Sequence, residues 1–245
     1  MKVTLIEFTG KGSENEVWRA VDLLLFTKNT RLTMSPGLME EIAAWPEGKK
    51  LQELEYMSRT IKSSWEFLDV TFLIEGVTRA VAQQITRTRQ ASYAMQSQRV
   101  TDAREIAVTN NLSESSSNWA LYQNAVESIK NCYSSLVDSG VPLEDARGIL
   151  PMNTQCNLVA KYNLRALTDL VKARKSLRAQ GEYNEIVVQM EQCTIDVWPW
   201  AKMFFAVDKQ IAIEMLEAVA KRIGITTGKG DGWEIAKAID LIRKD

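Results

Sequence analysis

The sequence predicts an α+β protein, a small sheet packed by several long helices. Two segments, Lys2 to Phe8 and Trp65 to Glu75, alternate apolar and polar residues with the period of a half-buried strand. Around them run longer stretches in which apolar residues return every three to four positions, the period of an amphipathic helix. No internal repeat, low-complexity tract or linker divides the 245 residues, so a single domain spanning 1–245 with one substantial core is expected.

Taken in order, Lys2 to Phe8 is the first strand and Glu14 to Phe26 the first helix. Thr33 to Ala44 and Glu47 to Ile61 are two more helices, parted at Trp45-Pro46 because proline discourages continuation. In the strand from Trp65 to Glu75, Leu68, Val70, Phe72 and Ile74 share one face, and Phe67, Asp69, Thr71 and Leu73 the other. Gly76 is expected to end that strand. A helix from Val77 to about Thr86 then turns Val77, Val81 and Ile85 inward and sets Gln84 beside Arg87 at its end.

Ser113 to Val137 is a long helix on Trp119, Tyr122, Val126, Ile129, Tyr133 and Leu136, stopped by Gly140 and Pro142. Leu143 to Leu150 is a short helix closed by Pro151, and in it Arg147 beside Glu144 and Asp145 reads most plainly as a surface ion pair. From Asn163 to Leu177, Leu164, Ala166, Leu167, Leu170, Val171, Ala173 and Leu177 fill one helical arc, and Arg174 falls inside it. A charge amid an apolar stripe is costly unless it is paired or solvated in a cavity. Arg165 and Arg174 lie about half a turn apart in azimuth, so one pocket in one subunit is not expected to use both. Helices from Glu185 to Val207, broken near Trp198-Pro199-Trp200, and from Lys209 to Arg222 follow. The glycine-rich 226–232 lacks phosphate-loop spacing and reads as a turn before a terminal helix.

Composition narrows the chemistry. A net charge of -1 argues against broad nucleic-acid binding, which depends on neutralising phosphates. No apolar run is long enough for a membrane span and the start is too acidic and short for a signal peptide, so a cytoplasmic location is the expectation. Histidine is absent, which removes Ser-His-Asp and Cys-His nucleophiles, histidine metal sites and histidine acid–base chemistry. Cys132, Cys156 and Cys193 have neither metal-ligand spacing nor an even count and read as small buried apolar residues; no metal is expected. An enzyme of this composition would leave its difficult chemistry to a cofactor.

The stretch from Val81 to Val100 stands out. Arg87, Arg89 and Arg99 accompany Ser92 and Ser97 with almost no carboxylates between them. A guanidinium is always charged and its planar fork fits a phosphate or a carbonyl edge, so three beside hydroxyls suggest a phosphorylated ligand. Arginines at helix ends are also commonly just solvated, and these residues alone leave that reading open.

Arg87-Thr88-Arg89 followed through to Ser97, with Ser92 and Arg99 in step, resembles the signature of the flavin-dependent thymidylate synthases. The likeness extends to Ala146-Arg147 with Leu150-Pro151, to Asn163-Leu164-Arg165-Ala166-Leu167, to Arg174, and to Ala179-Gln180-Gly181-Glu182, in the family's order and spacing. Upstream, Ser63-Ser64-Trp65-Glu66 resembles the family's hydroxyl-and-glutamate segment, so the resemblance covers roughly 60 to 186. Thr88 stands where the family usually has histidine, Met95 where it has glutamate, Ala94 for asparagine, Val100 for tyrosine, and Asp169 where a neutral or basic residue is usual.

The resemblance implies a single domain with a small antiparallel sheet and several long helices, assembled as a homotetramer with sites between subunits. It implies conversion of dUMP to dTMP, with carbon from methylenetetrahydrofolate and reducing equivalents from NADPH through FAD. By the same likeness Arg174 is catalytic, stabilising negative charge that develops around the uracil N3 and carbonyl oxygens. Gln84, Arg87, Ser97, Gln98, Arg99, Arg147 and Arg174 would hold the nucleotide. Ser63, Arg87, Thr88, Arg89, Met95, Asn163, Arg165 and Asp169 would face the flavin. Alternatives are a methyl- or hydroxymethyltransferase acting on dUMP or dCMP, and a non-catalytic paralogue that binds nucleotide or flavin.

Overall fold

In the computed structural model the described residues are 1–30, 35–175 and 181–206. They form a four-stranded, wholly antiparallel sheet in the order β1-β2-β4-β3. The strands are β1 (Lys2–Phe8), β2 (Asp69–Thr78), β3 (Ala91–Met95) and β4 (Gln155–Asn163). Around them lie α1 (Glu16–Asn29), α2 (Leu38–Ala43), α3 (Glu47–Thr60), α4 (Arg79–Ile85), α5 (Trp119–Asp138), α6 (Leu143–Ala146), α7 (Leu164–Arg174), α8 (Gly181–Val197) and α9 (Lys202–Phe205). The α+β expectation holds, including the first strand and the helix from Glu47.

One face of the sheet carries the core. Val70, Phe72 and Ile74 of β2 lie opposite Tyr162, Ala160 and Leu158 of β4, and all six are buried. Alternate residues, among them Thr71, Lys161 and Ser92, turn to the other face and retain solvent exposure, as an antiparallel sheet covered on one side requires. Helices α4, α7 and α8 pack against the sheet. Trp198, Trp200 and Phe204 close the core beyond α8, with Trp198 stacked on Trp200 at 5.4 Å. The Trp-Pro-Trp break therefore falls where expected, and its aromatics are core. Between α1 and α3, the Lys50 ammonium lies 2.6 Å from the Asp22 carboxylate, both side chains nearly inaccessible. A satellite cluster of Ala103, Tyr133 and Ala146 joins α5 and α6 to the segment after β3, and the Tyr133 hydroxyl accepts from the Ala103 N–H at 3.1 Å.

Several boundaries differ from the sequence reading. Residues Lys62–Phe67 wind into a 3-10 turn, so β2 begins only at Asp69. Gly76 does not end it: with φ of 67° it forms a bulge, its N–H donates to Asn157 Oδ1 at 2.9 Å, and pairing resumes at Val77. The positive φ that suggested a terminator serves here to shift register. The second helix runs only from Leu38 to Ala43 and the fifth begins at Trp119, not Ser113. That fifth helix ends as expected on Gly140, whose N–H donates to Val137 O while Val141 N–H reaches Leu136 O, the paired bonds of a Schellman cap. Leu143 to Leu150 is a single α turn followed by a 3-10 turn over Arg147–Ile149. Strand β4 was not anticipated at all. Cys156 is buried as expected, Cys193 only partly, and Cys132 is exposed on α5. The expected helix from Lys209 and the glycine-rich turn lie outside the described residues.

Candidate functional site

Helix α4 is fixed at its start from outside its own segment. The Thr78 hydroxyl caps it, accepting from the Val81 N–H at 3.3 Å. The Glu182 carboxylate at the head of α8 accepts both the Thr78 N–H and the Thr78 hydroxyl at 2.7 Å each. An acceptor with full negative charge makes these strong bonds, and they pin α8 to the helix that carries Gln84 and leads into Arg87.

At the other end of α4 the chain turns through Arg87-Thr88-Arg89 into β3. The Tyr93 hydroxyl holds this turn, lying 2.9 Å from Ile85 O, 3.0 Å from Thr88 O and 3.0 Å from the Tyr162 hydroxyl. With carbonyls on two sides, Tyr93 gives its proton to one of them and receives that of Tyr162. Burial pushes both phenols up, Tyr162 well above the ordinary range. Arg87 and Arg89 themselves are exposed, and neither forms an ion pair with a described residue. The stretch from Val81 to Val100 thus opens in the expected helix and continues as a braced turn and an edge strand, β3, that was not anticipated. In β3, Tyr93 and Met95 face the core side while Ser92 and Ala94 face solvent, so Met95 packs against apolar residues.

Helix α7 starts beside this turn, because Ala91 of β3 pairs with Tyr162, one residue before Asn163. The Asn163 side-chain oxygen is committed to capping α7, accepting from the Ala166 N–H at 2.8 Å, which leaves its amide N–H groups for a ligand. Arg165 is neutralised by Glu66 of the 3-10 turn, at 2.6 Å. Ser63 is exposed on that turn, which packs against α7, and Asp169 is exposed one helical turn beyond Arg165. Arg174 is held differently: its guanidinium lies 4.9 Å from the centre of the Tyr183 ring. The expected cost of a charge in the apolar stripe is met by an aromatic face and partial exposure, with no carboxylate pair among the described residues. Arg165 and Arg174 do face different partners, as their half-turn separation requires.

The remaining predicted residues sit at the far end of β3. Gln96 exchanges bonds with Asn157 of β4, its N–H donating to Asn157 O at 2.8 Å. Beyond it the Ser97 hydroxyl accepts from the Arg99 N–H at 3.2 Å, and Arg99 pairs with Glu144 at 2.6 Å. Arg147 donates from Nε to the backbone oxygen of Glu144 at 3.1 Å, so the ion pair expected of Arg147 belongs to Arg99 instead. Gln98 is buried and its Nε2 finds no hydrogen-bond partner among the described residues, an orphan donor that a carbonyl-bearing ligand would satisfy.

One chain therefore forms two groups. Arg87, Thr88, Arg89, Asn163, Arg165 and, through Tyr183, Arg174 gather around the α4–β3 turn and α7. Ser97, Gln98, Arg99 and Arg147 gather past the other end of β3, a strand about 14 Å long. Sequence reasoning did not assign site roles to Glu182, Glu66, Tyr93, Tyr162 or Tyr183. Glu182 and Glu66 lie in motifs already noted, and the alternation of Cys156, Leu158, Ala160 and Tyr162 could have exposed β4.

Fold and site together define an α+β protein with arginine-rich surfaces suited to an anionic ligand. The sequence matches the family described as thymidylate synthase complementing protein over residues 4–200. The chain belongs to that family. It is 34% identical over 147 residues to a flavin-dependent thymidylate synthase of Geobacter sulfurreducens, a match covering 58% of this chain and 63% of that protein. A Pyrococcus furiosus protein of the same name is 29% identical over 196 residues, covering 78% of this chain and 77% of its own length. Among solved structures, a UMP/dUMP methylase PolB from Streptomyces cacaoi with bound 5-Br dUMP is similar, with a TM-score of 0.65 and 21% identity. That likeness covers 83% of this chain and 94% of the other, and at such identity it speaks for the fold.

Proposed function

We propose that this protein is a flavin-dependent thymidylate synthase that methylates dUMP to dTMP, with methylenetetrahydrofolate as carbon donor, FAD as cofactor and NADPH as reductant. The observation that carries this reading is the state of Arg87, Arg89 and Arg174: three matched guanidiniums, none ion-paired among the described residues. Unneutralised cations held by the fold are what phosphate and a developing anion require. Their donor set fits a flavin dinucleotide: Arg87 and Arg89 match the charge of a diphosphate, and the Ser63 hydroxyl and Asn163 amide supply neutral donors. Asp169 contributes an exposed carboxylate nearby, which the pyrophosphate would have to avoid. Met95 presents no acceptor where the family usually has glutamate. When bound, the flavin supplies redox chemistry for which this histidine-free chain has no group of its own.

The division of the arginines between the two ends of β3 supports sites completed by a second copy, in a homotetramer. Helix α5 points the same way: of its 20 residues only Val126 and Tyr133 are buried, while Leu121 is 70% exposed. In this arrangement Gln98, Arg99 and Arg147 from one subunit meet Arg87 and Arg174 from another, holding the nucleotide while Arg174 stabilises charge on the base. Arg174 requires no proton transfer to do so, and Ser97 binds without acting as a nucleophile because no base stands by to activate it.

The test is the visible absorption spectrum of purified protein with added FAD, followed by turnover of dUMP and, separately, dCMP with labelled methylenetetrahydrofolate. Bound flavin and labelled dTMP support the reading. A methylated or hydroxymethylated cytosine product reassigns the substrate, and colourless protein without turnover replaces the enzyme with a binding paralogue.

A further inference from the structure

Tyr183 has no assigned role, yet it joins the parts of the site that matter. It sits in the third position of α8, directly after Glu182, and is 1% exposed. Its ring lies under the Arg174 guanidinium at 4.9 Å, and its buried hydroxyl, without a hydrogen-bond partner among the described residues, comes near both Thr88 of the Arg87–Arg89 turn and Arg174. Two other arginines near the candidate site are held by carboxylates, Arg165 by Glu66 and Arg99 by Glu144. A carboxylate fixes a guanidinium but cancels its field, whereas an aromatic face attracts the cation through its quadrupole and carries no net charge. The cation held by the ring keeps its full charge for a ligand.

We propose that Tyr183 is a positioning residue that aims Arg174 at the nucleotide base without neutralising it, and that the ring, not the hydroxyl, performs this task. The inference rests on the dUMP-methylation reading for its kinetic consequence, though its geometry can be tested apart from activity. Helix α8 carries both anchors: Glu182 fixes the start of α4, and Tyr183 fixes the end of α7. The backbone oxygen of Arg174 also accepts from the Asn184 amide at 3.0 Å, so three consecutive residues of α8 set the geometry around the candidate site.

The experiment compares Tyr183→Phe and Tyr183→Leu in the flavin-loaded protein. Tyr183→Phe keeps kcat within about twofold, and Tyr183→Leu loses about tenfold or more in kcat with KM for dUMP within about threefold, the pattern of a lost transition-state contact. Tyr183→Leu with unchanged kcat overturns the proposal, and equal losses in both variants move the role to the hydroxyl and overturn it as stated. The second readout is the arginine Nε–H resonance of ligand-free protein, assigned through Arg174→Lys. Ring current shifts the Arg174 signal upfield in wild type and Tyr183→Phe and releases it in Tyr183→Leu, with Tyr183→Met standing in should the leucine variant misfold. An unshifted wild-type signal overturns the proposal even if dUMP is methylated. A shifted signal in a protein that leaves dUMP unchanged sinks the substrate assignment and keeps the positioning.

Discussion

Replacing Glu182 by alanine removes the only acceptor that the described residues give to the backbone N–H and hydroxyl of Thr78 at the start of α4. Thr78 is fully buried, so both donors lose a charged partner in a place where solvent does not easily substitute. Hydrogen bonds to charged groups contribute about 1.5–3 kcal/mol each, giving an upper range of about 3–6 kcal/mol for the two. Glu182 itself is partly exposed, which weakens both bonds toward the lower end of that range, about 3 kcal/mol. Glu182→Gln keeps one carboxamide oxygen as acceptor and loses about half as much, roughly 1.5 kcal/mol. Urea denaturation followed by far-UV circular dichroism measures both. Because α4 leads into Arg87-Thr88-Arg89, the alanine variant should also weaken flavin binding more than the glutamine variant. A Glu182→Ala protein within about 0.5 kcal/mol of the parent would refute the argument, since that is the scatter of ordinary surface changes.

Lys50→Met leaves Asp22 buried without its counter-ion and should cost about 3–5 kcal/mol, while Lys50→Met with Asp22→Leu recovers most of the loss in a thermal melt. Arg174→Ala should lower turnover about 100-fold or more while the bound flavin spectrum persists, measured by single-turnover product formation. Tyr162 has a folded-state pKa raised well above the unfolded value, by burial first. Its neutral form is therefore favoured in the native state: the contribution is intact below the unfolded phenol value of about 10 and is lost as pH climbs through and beyond it. Tyr162→Phe, read by urea midpoints from pH 8 to about 11, should lose stability near neutrality with the Tyr93 bond but decline less steeply on the alkaline side.

Local chemistry was legible wherever a pattern was confined to one segment. The strand Lys2–Phe8, the helix starting at Glu47, the glycine stop after α5 and the Trp-Pro-Trp break follow from periodicity and cap residues alone. So did the conflict posed by Arg174, a charge on an apolar arc. Its resolution was not legible, because Tyr183 comes from the next helix and a ring can replace a carboxylate. Strand β4 hid because Tyr162-Asn163 runs straight into a helix whose apolar residues also begin there. Trp65 to Phe67, the end of the 3-10 turn, passed for the start of a strand because Trp65 and Leu68 are buried in either conformation. Ion pairs such as Arg99–Glu144 and Arg165–Glu66 join residues 45 and 99 positions apart, separations that no local pattern encodes.

The central claim is that arginines at the two ends of β3 meet only across subunits, and mixing two disabled variants tests it directly. Arg87→Ala and Arg147→Ala are each expected to be inactive toward dUMP. Unfolded together in equal amounts and refolded, random assembly should regenerate sites carrying both arginines and return about a quarter of wild-type activity. A mixture as inactive as either variant alone would place both residues in a site within one chain, contrary to the geometry described above.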